Sequence, residues 1–351
     1  MSWPGVLLFL PGWACGWVLC WRRLPLVVPP GAPRPAVAVV IPARNEAATL
    51  PELLASLASQ VRPGDQVLVV DDASTDGTSA VAAEAGARVV AAAPLPPGWT
   101  GKSWACHTGV GATSAPILVF LDADVVLAPG ALDRLAGAAA ARPDTLVSVQ
   151  PWHRMVRPCE QLSAPFNLVA LAGTGLTTPW GARVPVRLAF GPVLASTRSA
   201  YDGVGGHAHV SVRGCVVDDI ALACRYHGRV QLAQARDVAT FRMYPDGLHR
   251  LVEGWTKNIA AGAAAVPGWA LALTVAWLWS MIGSPAAGWP CWLASAAQVW
   301  VLGRRVGSVR WWAALLAPLL AVWFVVVLGR SAWRRLRRRP VRWRGRDVAP
   351  R

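Results

Sequence analysis

The chain has 351 residues, 54% hydrophobic and 15% charged, with a net charge of +15 and 20 tryptophans against 3 tyrosines. That apolarity excludes an ordinary soluble enzyme, and the charge excludes a wholly membrane-buried protein. A soluble domain with membrane segments attached satisfies both. The seven cysteines form no Cys-x-x-Cys pair and are odd in number, which argues against a zinc site or disulfide framework and fits a reducing compartment.

Residues 5–21 are apolar and are followed by Arg22 and Arg23. A cleaved signal peptide carries its positive charge before the apolar core, so residues 1–24 are expected to be a membrane anchor with the two arginines on the inner side. A Pro-rich linker, 29–35, leads to a domain over 36–245. There the pattern predicts strands at 37–41, 67–70, 88–91 and 117–121. Helices are expected to open at Thr49, three residues before Glu52 with Pro51 in the first turn, and to run over 74–85, closed by Gly86. Repeated β–α units with buried apolar strands imply a parallel α/β sheet, with ligands beyond the carboxyl ends of its strands.

Residues 246–264 are expected to lie at the membrane interface as a helix, and 265–330 to hold transmembrane segments near 266–282, 286–302 and 311–329. Two topologies stay open, three crossings or two with 286–302 re-entrant. Only the second keeps the basic tail, 331–351, on the side of the soluble domain, as the positive-inside rule asks. That tail suits anionic lipid better than nucleic acid, since no nucleic-acid-binding motif accompanies its charge.

The chemistry centres on residues 119–125, Val-Phe-Leu-Asp-Ala-Asp-Val. Positions i and i+2 of an extended backbone point the same way, so Asp122 and Asp124 offer two hard oxygen ligands side by side. Such a pair suits Mg²⁺ or Mn²⁺, which neutralises a diphosphate. Alone, Asp-x-Asp is more often a solvated turn. Asp71 and Asp72 close a second strand, either as nucleoside contacts or as an Asx turn. Lys102 is either a point charge for a diphosphate or a solvated loop lysine, and Arg44 either a ligand or an ion-pair partner.

Three stretches in register carry a resemblance: Val-Val-Ile-Pro-Ala-Arg-Asn-Glu at 39–46, Val-Val-Asp-Asp-Ala-Ser-Thr-Asp-Gly-Thr at 69–78 and Phe-Leu-Asp-Ala-Asp at 120–124. Together they resemble the inverting family 2 glycosyltransferases, whose GT-A fold is a Rossmann-like nucleotide-diphospho-sugar transferase domain. Gly-Trp-Thr-Gly-Lys-Ser-Trp-Ala at 98–105 is similar to the membrane-bound subgroup that includes carotenoid-acid and hopanoid-associated enzymes, although His107 stands where other members have Asn. The resemblance implies that Pro42, Arg44, Glu46, Asp71, Asp72, Lys102 and Asp122 contact the nucleotide sugar, and that Asp124 with Asp122 holds the cation. It also implies that Asp219 is the catalytic base, with Asp218 supporting it. The alternative for these two acids is a cap on the helix that follows.

An acceptor that is already a carboxylate needs no base, and Asp219 would then orient it. Gly205-Gly206-His207 and Phe190-Gly191-Pro192 resemble acceptor-side loops. His207 and His153 are as readily structural as functional. Arg242 and Lys257 are candidates for a second diphosphate contact. The Gln-x-x-Arg-Trp motif of processive members is absent, which argues for a single transfer. The implied partners are a nucleotide-sugar donor, a UDP-sugar by expectation, a lipid acceptor and the membrane. The implied place is the inner membrane, multi-pass, with the catalytic domain cytoplasmic. A polyprenyl-phosphate hexosyltransferase and a non-catalytic membrane protein with a GT-A-like domain remain as alternatives.

Overall fold

A computed structural model describes residues 3–186, 188–337, 341–343 and 346–348. After α1 (Trp3–Leu19) the chain alternates β1 (Val37–Ala43), α2 (Leu50–Ala58), β2 (Gln66–Asp71), α3 (Thr78–Glu84), β3 (Arg88–Ala91), α4 (Gly101–Gly111) and β4 (Ile117–Leu121). It continues through β5 (Val125–Leu127), α5 (Ala131–Ala141), β6 (Leu146–Gln150), β7 (Trp152–His153), α6 (Ala164–Gly173), β8 (Val193–Thr197), α7 (Arg198–Gly203), α8 (Asp218–Arg225), β9 (Val230–Gln234) and β10 (Ala239–Phe241). The helices α9 (Leu248–Ala263), α10 (Gly268–Ala287), α11 (Trp289–Val306), α12 (Trp311–Leu315) and α13 (Ala317–Leu336) follow.

Seven strands form one sheet in the order β3-β2-β1-β4-β8-β6-β9, and β5, β10 and β7 form a small second sheet. The large sheet is mixed, not parallel as expected, because β8 runs antiparallel to both β4 and β6. β8 enters between β4 and β6 in the opposite sense to both, so it forms no parallel β–α crossover with either. β1 and β4 are buried along almost their whole length, as β-branched runs covered on both faces must be. On one face α2 packs Leu50, Leu53, Leu54 and Leu57, a 3.6-residue stripe. On the other, α4 lies so close that a Cβ on Gly109 would sit 2.5 Å from Val40 Cγ1.

Two local expectations are corrected. Helix α3 starts at Thr78 and not at residue 74, because Asp71 accepts the Ser74 N–H and Asp76 accepts that of Thr78, holding 74–77 as a turn. Thr49 does precede α2, but its hydroxyl donates to Glu46 Oε2 at 2.7 Å and makes no capping bond to the helix.

The second layer is helical. α1 runs beside α10, and the fully buried Trp277 donates its indole N–H to Gln298 Oε1 at 2.8 Å while pressing on Gly16. Phe166 of α6 stacks on Trp255 of α9, with ring centroids 4.6 Å apart. Among the described residues two helices, α10 and α13, are long and apolar enough to cross a membrane, and α1 is a shorter apolar helix. α11, the segment expected near 286–302, falls outside that pair. Its basic C-terminal end is fastened to the α/β layer, where Arg305 O accepts from Gln234 Nε2 at 2.5 Å and Arg304 O from Trp152 Nε1 at 3.1 Å. Of the tail expected over 331–351, residues 331–336 complete α13, Val341–Trp343 pairs antiparallel with Arg346–Val348, and 338–340, 344–345 and 349–351 lie outside the described residues.

Candidate active site

The loops leaving β1, β2 and β4 lie at the carboxyl ends of their strands, and side chains crosslink the first two. Asn45 N–H donates to Ser74 Oγ, Glu46 N–H to Thr78 Oγ1, Ala47 N–H to Asp76 Oδ2, and Thr75 N–H to Asn45 Oδ1. The two neighbouring acids of the second loop part ways here. Asp71 accepts from Ser74 N at 2.9 Å and Ser79 Oγ at 2.5 Å. Burial opposes its charge, but the bonds from Ser74 and Ser79 outweigh it and hold the carboxyl below the ordinary range. Asp71 thus shapes the turn. Asp72, only 6% exposed, lines a large cavity together with Pro42, Arg44 and Glu46. The Arg44 guanidinium donates to the Asp72 carbonyl at 2.6 Å and stands 3.9 Å from its carboxylate.

Asp122 and Asp124 also line the cavity, just past the end of β4. Lys102, in the first turn of α4, sets its ammonium 2.6 Å from Asp122 Oδ1. Burial works against the lysine's charge, yet the negative charges of Asp122 and Asp218 raise its pKa above the usual lysine value. Lys102 of α4, Asp122 after β4 and Asp218 of α8 therefore share one electrostatic site.

Asp218 and Asp219 are the first two residues of α8, whose N-cap is Val217 without a side-chain capping bond, so the acids lie in the first turn and do not cap a helix that begins at Ile220. Asp219 accepts from Gly191 N at 2.8 Å and from Ile220 N at 2.9 Å, and it faces the cavity. Burial, and then the negative charge of Asp218, push its carboxyl up to about 6. Asp218 is 5% exposed, and its Oδ2 has no hydrogen-bond partner. Facing that oxygen at 3.8 Å is His207 Nε2. The Tyr201 hydroxyl takes the His207 backbone N–H at 2.9 Å and lies 2.7 Å from Nδ1. With the hydroxyl hydrogen given to Nδ1, the ring proton sits on Nε2 toward Asp218. Burial lowers the His207 pKa to about 4, so the ring is neutral.

The remaining candidates divide. His153 is buried, accepts from Met243 N, contacts Asn167 and is lowered by burial to about 4, which makes it structural. His107 sits in an aromatic cluster with Trp99 and Trp104. Arg242 is held by the fully buried Glu160, with Nη2 to Oε1 at 2.7 Å, although it also borders the cavity. Lys257 lines the cavity, and burial lowers its pKa to about 8. Tyr244 is a cavity residue that sequence reasoning missed. It adopts φ +55 and lies across Gly254, where a Cβ would sit 2.1 Å from its ring. No motif marks such a contact, which exists only once β10 and α9 meet.

The cavity measures about 830 Å³ and does not stop at these polar groups. It continues as an apolar arm past Val169 and Ala170 of α6, Gly262 and Ala263 of α9, Val266 in the turn that follows, Leu271 and Leu278 of α10, and Phe324 of α13. One space thus joins strand-end carboxylates to the helical layer.

Comparison with known proteins accords with this arrangement. Residues 38–160 match the family model for glycosyl transferase family 2. A 4,4'-diaponeurosporenoate glycosyltransferase of Staphylococcus aureus (strain MRSA252) is 32% identical over 335 residues, spanning 90% of this chain and 88% of its own. Its namesake in Staphylococcus haemolyticus is 36% identical over 257 residues, 71% of this chain and 68% of its own. In structure, a mannosyltransferase from Pyrobaculum calidifontis, solved with GDP-Man and Mn²⁺, aligns over 94% of this chain and 98% of its own. The TM-score is 0.57 at 19% identity, a likeness of fold. With relatives extending well beyond the 38–160 match into the helical layer, the chain belongs to the family 2 glycosyltransferases and has the GT-A fold.

Proposed function

We propose that the protein transfers a hexose from a nucleotide-diphosphate sugar, UDP-linked in our reading, to the polar end of a membrane-dissolved apolar acceptor, in a single inverting step. The observation that carries this is the continuous cavity, polar at the strand ends and apolar among α6, α9, α10 and α13. The relatives are named for 4,4'-diaponeurosporenoate, a carotenoid carboxylate, and a carotenoid acid is the acceptor class we assign.

In this reading Asp72, ordered by Arg44, contacts the nucleoside, with Pro42 and Glu46 bordering it. Among the described residues there is no group of three or more His, Cys, Asp or Glu that could hold a metal ion. Two hard carboxylates on the cavity wall nevertheless fit Mg²⁺ or Mn²⁺, because such ions complete their shell with diphosphate oxygens and water. Asp124 with Asp122 would hold it, and it would neutralise charge on the departing diphosphate. Lys102 supplies a fixed positive charge beside the same group. Asp219, ionised at neutral pH and more basic than an ordinary carboxylate, takes the proton from a hydroxyl acceptor. Toward a carboxylate acceptor, which has no such proton, it orients the attacking oxygen. Asp218 stands behind it, faced by the His207 ring proton.

We place the apolar helices α1, α10 and α13 in the inner membrane with the GT-A domain cytoplasmic. The Arg304–Arg305 end of α11 is fastened to the α/β layer. Near the end of α13, Ser331 Oγ donates to Thr256 O of α9 at 2.5 Å, which directs the basic tail to the same side.

Mass spectrometry of lipid extracts tests the reading, in a host shown to contain a carotenoid acid. The parent chain is expected to yield a hexose-shifted acid, and an Asp122→Ala/Asp124→Ala variant none. The same shift with both chains would overturn the site. A shifted phosphorus-containing polyprenyl lipid in place of the acid would reassign the acceptor.

A further inference from the structure

The size of the cavity and the place where it opens bear on how much of an acceptor it holds. Its volume of about 830 Å³ lies within the roughly 300–1,000 Å³ that accommodates one drug-sized ligand. A nucleotide sugar is itself of that size, so a long lipid has no room to be enclosed beside it. Yet the apolar arm is not closed. Leu271, Thr274, Val275 and Leu278 all line it, at i, i+3, i+4 and i+7 along α10, and thus share one face of that helix. Thr274 and Leu278 on this stripe are buried, whereas Leu271 is 44% and Val275 56% exposed. The stripe is therefore the edge of an opening. The same cavity is lined by Gly262 and Ala263, at the C-terminal end of α9. A Cβ on Gly262 would meet nothing within 4 Å, so packing does not demand this glycine and its small size leaves space.

We propose that the gap between the end of α9 and the Leu271–Leu278 stripe of α10 is a lateral window, through which only the head-proximal segment of an apolar acceptor enters from the bilayer. The rest of the chain stays in lipid. This inference rests on the lipid-acceptor reading above and sharpens it. The enzyme selects the polar end and the first stretch of the hydrocarbon, and it is indifferent to the acceptor's total length. The apolar lining and its continuity with Asp219 suit a hydrocarbon whose polar end must reach that carboxylate.

The full chain in phospholipid vesicles, with UDP-glucose and a carotenoid monocarboxylic acid as probes, provides the test. In a Val275→Cys variant a lipid-soluble maleimide should label the new thiol above the parent background, and the acid should slow that labelling by about fivefold or more. Gly262→Leu should raise the acceptor KM by about tenfold or more while leaving UDP binding within about twofold. Acids with the same head and a chain half as long should keep kcat/KM within about threefold at equal membrane concentration. Labelling indifferent to the acid would assign the gap to bilayer lipid and overturn the window. So would an unchanged acceptor KM in Gly262→Leu, or a steep dependence on chain length. Absence of transfer by the parent chain to any apolar acid would overturn the acceptor reading itself, and the window with it.

Discussion

At the strand end of the cavity, the loops after β1 and β2 are fixed by hydrogen bonds from backbone N–H groups to side-chain oxygens, and charged groups pair across elements, as Lys102 does with Asp122. At the other end, α6, α9, α10 and α13 are fixed by large rings such as Phe166, Trp255 and Phe324, while Gly262 faces empty space. The difference matches what each end would recognise in the proposed reaction. A charged, hydrogen-bonding ligand is bound by preorganised dipoles at defined positions. A hydrocarbon offers no directional contacts, so its site is shaped by which side chains are large and which are missing.

Substitutions can break this division or sharpen it. The largest effect is expected at the junction. Asp219→Asn should lower transfer to a hydroxyl acceptor by about 10²–10⁴-fold with nucleotide binding intact, the usual weight of a general base. Single-turnover kinetics with a donor-binding assay would check it, and near-normal turnover would remove Asp219 from that role. In the helical half, Trp277→Ala should cost about 3–5 kcal/mol of stability by emptying a buried, hydrogen-bonded site. Thermal unfolding in detergent would show a large fall, and the UDP Kd should move little if the two halves are separable.

A third prediction concerns pH. Asp219 accepts a proton only when ionised, so kcat/KM for a hydroxyl acceptor should fall as pH drops through about 6. For a carboxylate acceptor that limb should be absent. The stability sign is opposite to the catalytic one. A carboxyl raised above its unfolded value favours the fold below that unfolded value, and the benefit is lost as pH rises through about 6. Asp219→Asn should therefore be more stable than the parent by about 1 kcal/mol at pH 8, discounted for partial exposure, with no gain at pH 4. Melting curves at the two pH values would decide it.

The smallest effect separates two adjacent acids. Asp71→Asn should cost about 1 kcal/mol of stability through its turn, with donor affinity nearly unchanged. Asp72→Asn should weaken nucleotide binding instead. Equal loss of affinity in calorimetric titrations of the two variants would erase the distinction.

Much of the nucleotide half was legible in the chain because it is built locally. The runs at 88–91 and 117–121 became β3 and β4 with unchanged bounds, since a short apolar run closed by turn residues has few other ways to bury itself. Motif carboxylates follow strands directly, so their place at the carboxyl edge follows from the β–α order. Asp71 was the instructive case, since the residues alone left a turn and a ligand equally open. Its carboxylate is engaged by Ser74 and by Ser79, eight positions away, whereas Asp72 lines the cavity.

What the amino-acid order determined by itself was the apolar helices, the strands up to β4 and the acids at their ends, all set by periodicity and near-neighbour hydrogen bonding. Only the tertiary structure decided that β8 enters antiparallel, that Tyr244 lies on Gly254, that Arg242 belongs to Glu160, and that one cavity passes from Asp219 to Leu271. Each of these joins residues distant in the chain, and such contacts depend on how whole layers dock, which no local pattern encodes.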